Sequence, residues 1–207
     1  MPIVKRSPSP PAPEEQRAAA RDLPALLEQL KSPDPVERRW AARDLAAHPP
    51  ASAELVRCLA AEPDVSVRAV ILTSLTRIAD PGAVAGLVES LRSEDANLRN
   101  EAIEAMQALP DQVAAIMRDL LADEDADVRI FAVNVMESLR HPLVESWLIA
   151  VIESDPSINV CGTALDLLVE VGTAAAREPL CRLRARFAAE PYIQFAADLA
   201  LKRLAPC

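Results

Sequence analysis

Several things that folding and catalysis commonly draw on are scarce in this sequence. Of 207 residues only six are aromatic, four are glycine and two are histidine. With few aromatics and abundant alanine and leucine, the composition favours close-packed helices over strands. The glycines stand in no GxGxxG or GxxxxGK pattern, so no loop is built to cradle a phosphate. His48 and His141 each precede a proline at the end of a helical stretch, a place that suits a cationic side chain. They belong to distant parts of the chain and form no HExxH, metal triad or Cys–His pair. Cys58, Cys161, Cys181 and Cys207 show no CxxC and no regular spacing, and read as reduced packing residues. No metal and no cofactor is expected. No apolar run approaches the roughly 20 residues needed to cross a bilayer. Met1–Arg6 is basic but runs into Ser-Pro-Ser-Pro, not into an apolar signal core. A cytoplasmic protein with no membrane partner is the expectation.

Carboxylates, alanines and prolines are plentiful. The net charge is −9 with a pI near 4.8, which repels phosphate backbones and argues against a nucleic-acid partner. Acids concentrate between Val88 and Asp127, where eleven of them face only Arg92, Arg99 and Arg118. Such a run reads as a solvated face. Of eighteen prolines, five fall in the first thirteen residues, which bars regular helix there. Residues 1–20 are therefore expected to be a disordered proline-rich tail, and 21–207 a single domain.

That domain repeats. Asp125, Val128, Arg129, Ala132 and Met136 set a frame that recurs as Asp34, Glu37, Arg38, Ala41, Leu45, as Asp64, Val67, Arg68, Ile71, Leu75, and as Asp95, Leu98, Arg99, Ala102, Met106. The late apolar anchor falls at Leu45, Leu75, Met106, Met136, Leu168 and Leu201, at intervals of 30, 31, 30, 32 and 33. The residue four positions earlier, at Ala41, Ile71, Ala102, Ala132, Ala164 and Ala197, keeps the same intervals. A period of that size, with apolar residues at helical spacing (Leu23, Leu26, Leu27, Leu30 is the first set), predicts stacked helical hairpins. The helices are expected from Leu23 to Leu30 and over 36–47, 51–61, 65–79, 82–92, 96–108, 111–122, 126–139, 142–153, 157–171, 174–188 and 191–204.

The frame Asp-x-x-Val-Arg-x-x-Ala-x-x-x-Leu resembles short HEAT repeats, in particular the subtype first described in phycobilisome lyase subunits. The resemblance covers about residues 22–204 and implies an all-α, right-handed α-solenoid of about six antiparallel helix pairs. It also implies that the arginines, Arg38, Arg68, Arg99 and Arg129, tie neighbouring units by reaching the acidic turns at Asp34, Asp64, Asp95 and Asp125. Cys161 and Gln194 replace the arginine in the last two units, which depart from the pattern.

In such an array the second helices line the concave face, and the positions just after the arginine point away from the core. These are Arg39, Trp40 and Arg43, then Ala69, Val70 and Thr73, then Asn100, Glu101 and Glu104. Ile130, Phe131 and Asn134 follow, then Gly162, Thr163 and Asp166, and finally Phe195 and Leu199. Three of the six aromatics fall in this set. An apolar strip rimmed by charge is the make-up of a protein-binding groove; the same side chains, with each helix turned by one residue, would instead pack between units. Trp147, Phe187 and Tyr192 read as inter-helix packing. The function expected is a non-enzymatic scaffold or adaptor, monomeric, binding a protein or peptide. The resemblance alone implies the alternative, a lyase-like or maturation chaperone subunit acting on a cofactor-bearing client. A DNA-repair enzyme of the HEAT-like alkylpurine kind needs a basic concave face, which this acidic chain does not supply.

Overall fold

The computed structural model describes residues 22–204; the proline-rich stretch expected to be disordered, and Cys207, lie outside them. Among the described residues there are twelve α-helices and no strand. They form the pairs α1 (Leu23–Gln29) and α2 (Pro35–Leu45), α3 (Ser52–Ala61) and α4 (Val65–Ile78), and α5 (Pro81–Ser90) and α6 (Ala96–Gln107). The pairs α7 (Pro110–Leu121) and α8 (Ala126–Met136), α9 (Val144–Ser154) and α10 (Ile158–Val171), and α11 (Arg177–Arg186) and α12 (Pro191–Arg203) complete the array. Two short 3-10 turns, Pro49–Ala51 and Ala174–Ala176, lead into α3 and α11. Pro35, Pro81 and Pro110 open their helices where the sequence reading had them stand just outside. At the first helical position a missing N–H costs nothing, because that group has no intrahelical partner anyway.

The first five of the six second helices begin at a side-chain cap; α12, which follows Glu190, has none. Asp34, Asp64, Asp95 and Asp125 accept from the backbone N–H of Val36, Ser66, Asn97 and Asp127 at 2.8–2.9 Å. Ser157 does the same for α10 through Val160. A capping oxygen of this kind is worth about 1 kcal/mol.

The repeating frame is the core. Ala41, Ile71, Ala102, Ala132, Ala164 and Ala197 are all fully buried, since a small or compact side chain there lets the two helices of a unit approach. The anchors Leu45, Leu75, Met106, Met136 and Leu168 are buried as well. The sixth, Leu201, is only half-buried, since among the described residues no further helix packs over α12.

Second helices pack against one another without interruption, α2 on α4, then α6, α8, α10 and α12. First helices do so only in part: α3 packs on α5, and α9 on α11. A stack that is closed on one layer and open on the other curves toward the closed layer. The second helices form the continuous layer, referred to below as the inner face. Between α5 and α7 the outer layer leaves a cleft of about 510 Å³.

Candidate functional site

The arginines and the inner-face residues occupy adjoining positions on the second helices, so the pairing of the arginines sets how that face is held. Arg38 binds Glu62 through two hydrogen bonds, 2.8 Å from Nε and 2.7 Å from Nη2. Arg129 binds Asp155 in the same two-pronged way, at 2.7 and 3.1 Å. Both carboxylates lie in the turn of the next unit, two residues before its cap. The capping aspartates at 34, 64 and 125 accept no arginine hydrogen bond; each caps its helix through one oxygen. Asp95 is the exception: it caps α6 and also accepts from Arg68 at 2.6 Å. The reason is local, since Ser93 stands where Glu62 and Asp155 stand in their units.

The remaining arginine, third in the series, forms no ion pair. Arg99 donates to the carbonyl of Ser93 at 2.6 Å and lies over the ring of Phe131, 5.4 Å from its centre. The acid that would match it, Asp123, is bound by Arg92 instead. Missing from the sequence reading were thus Glu62, Asp123 and Asp155. The signal was present, a carboxylate two positions before the cap, but it varies in identity and is replaced by serine in the third unit.

These pairs leave their mark on protonation. Burial raises the Glu62 carboxyl, yet the Arg38 hydrogen bonds and the Asp64 backbone N–H outweigh it and hold Glu62 below its usual range. The Arg68 hydrogen bond holds Asp95 low. The Arg129 guanidinium is raised by its hydrogen bond to Asp155.

The inner-face residues divide by position along the array. Trp40 is half-buried and roofed by Arg43, whose guanidinium carbon is 4.3 Å from the ring centre. Val70, Ile130 and Phe131 are half-buried and packed against the core. Arg39, Glu101, Asn134 and Thr163 are half-buried too, and Gly162 is buried. Arg43, Ala69, Thr73, Asn100, Glu104 and Asp166 are exposed. The aromatic positions do not join into one bare strip. Bare apolar surface instead gathers on α12, where Tyr192, Phe195 and Leu199 are 52%, 69% and 47% exposed. Their spacing places them along one side of the helix. Tyr192, read as inter-helix packing, is surface: its hydroxyl donates to Asp166, and burial together with that bond pushes its pKa up to about 12. A polar recess of about 200 Å³ lies beside Asp166, lined by Val133, Asn134, Glu137, Thr163, Leu167 and Glu170.

Other expectations resolve locally. Trp147 is half-buried and stacks on His141 at 5.0 Å. Phe187 is half-buried against the core. His141 accepts from the Leu143 N–H at 3.2 Å, closing the turn into α9. Cys161 is buried, where desolvation raises its thiol, and receives Arg186 at 3.0 Å; Cys58 is half-buried, but Cys181 is exposed. Among the described residues no group of three or more His, Cys, Asp or Glu side chains is placed to hold a metal, and no helix is long and apolar enough to cross a membrane.

Tandem helix pairs stacked through a continuous inner layer and linked by inter-unit arginines define an α-solenoid of the HEAT type. The HEAT repeats family matches residues 23–107 and, in a second register, 52–129. The chain belongs to that family. Among solved structures it is similar to an archaeal HEAT-like repeats protein from Thermococcus onnurineus, at 16% identity and a TM-score of 0.46, over 90% of this chain and 89% of that one. It is also similar to a designed armadillo repeat protein (20% identity, TM-score 0.41, 89% and 100% covered). A third similar structure is the complex of CpcE and CpcF of phycocyanin lyase from Nostoc (17% identity, TM-score 0.37, 99% and 100% covered). No curated protein matches the sequence.

Proposed function

We propose that the chain is a non-enzymatic scaffold that binds a protein or peptide segment across the inner face of its second helices, anchored at the α12 end. The observation that carries this reading is the bare stripe of Tyr192, Phe195 and Leu199 next to the acid-lined recess at Glu137, Asp166 and Glu170. A large apolar side chain of the partner would cover Phe195 and Leu199, and a lysine or arginine beside it would enter the recess. Burying an exposed aromatic anchor of this kind is worth roughly 2 kcal/mol or more. Asn100, Glu104 and Thr73 extend the same face toward the first units and serve as its polar rim.

The test is affinity capture from the native source with mass spectrometry, comparing wild type with Phe195→Ala plus Leu199→Ala. The reading predicts that one specific partner disappears while the melting temperature holds. Retention of every captured protein by the double variant overturns it. A Trp40→Ala plus Phe131→Ala variant serves as the contrast: those half-buried rings should cost stability first.

A further inference from the structure

The cleft between α5 and α7 lies on the opposite, outer layer, and the scaffold reading of the inner face makes no use of it. It is lined by Val84, Ala85 and Val88 from α5 and by Ala115, Ile116 and Leu120 from α7. Its origin can be traced to residues. On α5, Gly86 meets Val56 of α3 so closely that an added Cβ would collide with the valine methyls. Ser52 of α3 also donates to Asp80, the α5 cap, at 2.9 Å. Both contacts draw α5 toward α3 and away from α7. The α7 wall runs from Gln112 to Asp123, about 16 Å of helix, so the cleft is a trough and not a round hole. At one end Arg92 bridges to Asp123 and closes it with an ion pair. At the other end stands Ala79, which closes α4 in the left-handed region at φ 51°, the one non-glycine residue so placed among the described residues. A glycine would relieve that strain, and strain of this kind gathers at functional sites.

We propose that this cleft binds a small elongated molecule with an apolar body and a single protonated amine, the body lying in the trough and the ammonium on Asp119. The volume of about 510 Å³ falls within the range of small-molecule sites, roughly 300–1,000 Å³. The make-up is that of such sites too, apolar walls with a few polar groups, here Gln112 and Asp119. The sign of the ligand's charge follows from the carboxylates. Asp123 is held by Arg92, whereas Asp119, four residues before it, is exposed and forms no ion pair. One free acid matches one cation, and an anionic amphiphile would be repelled by it. A polypeptide is disfavoured by its own backbone. The walls are helices whose N–H and C=O groups are already bonded internally, so those of an extended strand laid in the trough would find no partners there. A molecule without peptide groups carries no such cost.

The experiment titrates three elongated molecules of similar shape, phenylbutylamine, phenylbutanol and phenylbutyrate, into the full chain and follows the methyl resonances by NMR. The expected result is a saturable shift of the Val84, Val88, Ile116 and Leu120 methyls. The amine should bind roughly twofold to fivefold tighter than the alcohol, the size expected of one exposed ion pair, and the carboxylate should bind weakest. Asp119→Asn should remove the difference between amine and alcohol while leaving the affinity for the alcohol unchanged. Ala115→Trp, which fills the trough, should abolish binding of all three; Ala115 is exposed, so the melting temperature should hold. Shifts that stay linear with concentration, shifts centred on other helices, a carboxylate that binds as well as the amine, or an amine preference that survives Asp119→Asn would each overturn the proposal.

Discussion

Two junctions of the same solenoid handle the same arginine differently. Between the fourth and fifth units, Arg129 is buried and held by both oxygens of a buried Asp155, with further bonds to the carbonyls of Asp123 and Glu124. Between the third and fourth, Arg99 keeps its helix position and its carbonyl bond but lies on an aromatic ring, while Arg92 takes its acid. The outer cleft opens at the second of these junctions. An arginine at the repeat position is therefore not by itself a tie. Whether it becomes one is decided by the acids in the turn of the next unit, either the cap itself or the residue two places before it, and by which other arginine competes for them.

The largest effect should come from breaking the strong junction. Arg129→Met leaves the Asp155 carboxylate buried without its partner and should cost about 3–5 kcal/mol in chemical denaturation. Arg99→Met loses one carbonyl bond and a ring contact and should cost about 1–2 kcal/mol. Equal losses at the two sites would erase the distinction.

Next in size is Gly86→Ala. Alanine is the better helix former by about 1 kcal/mol. Here its methyl would collide with the stiff, β-branched Val56, which has little room to move. A net loss of about 1–2 kcal/mol is expected, largely restored by adding Val56→Ala. If Gly86→Ala is neutral, the pull of α3 on α5 does not account for the cleft.

Smaller still is the pH response of the first junction. Glu62 titrates below its unfolded value, so the Arg38–Glu62 pair is fully stabilising above the ordinary carboxylate range and is lost as pH falls through the lowered folded value. Thermal melts from pH 7 down to pH 3 should therefore show a steeper loss for wild type than for Glu62→Gln, which starts less stable. Parallel curves would mean the pair contributes nothing.

Most of the fold was legible because it is written in repeated residues. The buried alanines and the apolar anchors kept one period through all six units, and tandem packing needs little more than that. The inner face was harder. Its candidate positions were read from helix geometry, but Phe131 and Trp40 are roofed by Arg99 and Arg43, contacts set by side-chain reach and not by spacing. Phe195 and Leu199 are bare for a reason the frame does not contain, namely that no described helix packs over α12. Likewise the partners of the arginines lie a whole unit away in sequence, at Glu62 and Asp155, where no local motif marks them.

A pair of double-mutant cycles tests the comparison most directly, one on Arg129 and Asp155 and one on Arg99 and Asp123. Coupling of at least about 1.5 kcal/mol in the first and less than about 0.5 kcal/mol in the second is the predicted result. Coupling of similar size in both would contradict the view that the acids in the turn of the next unit and their competing partners, and not the arginine, decide which junctions are tied.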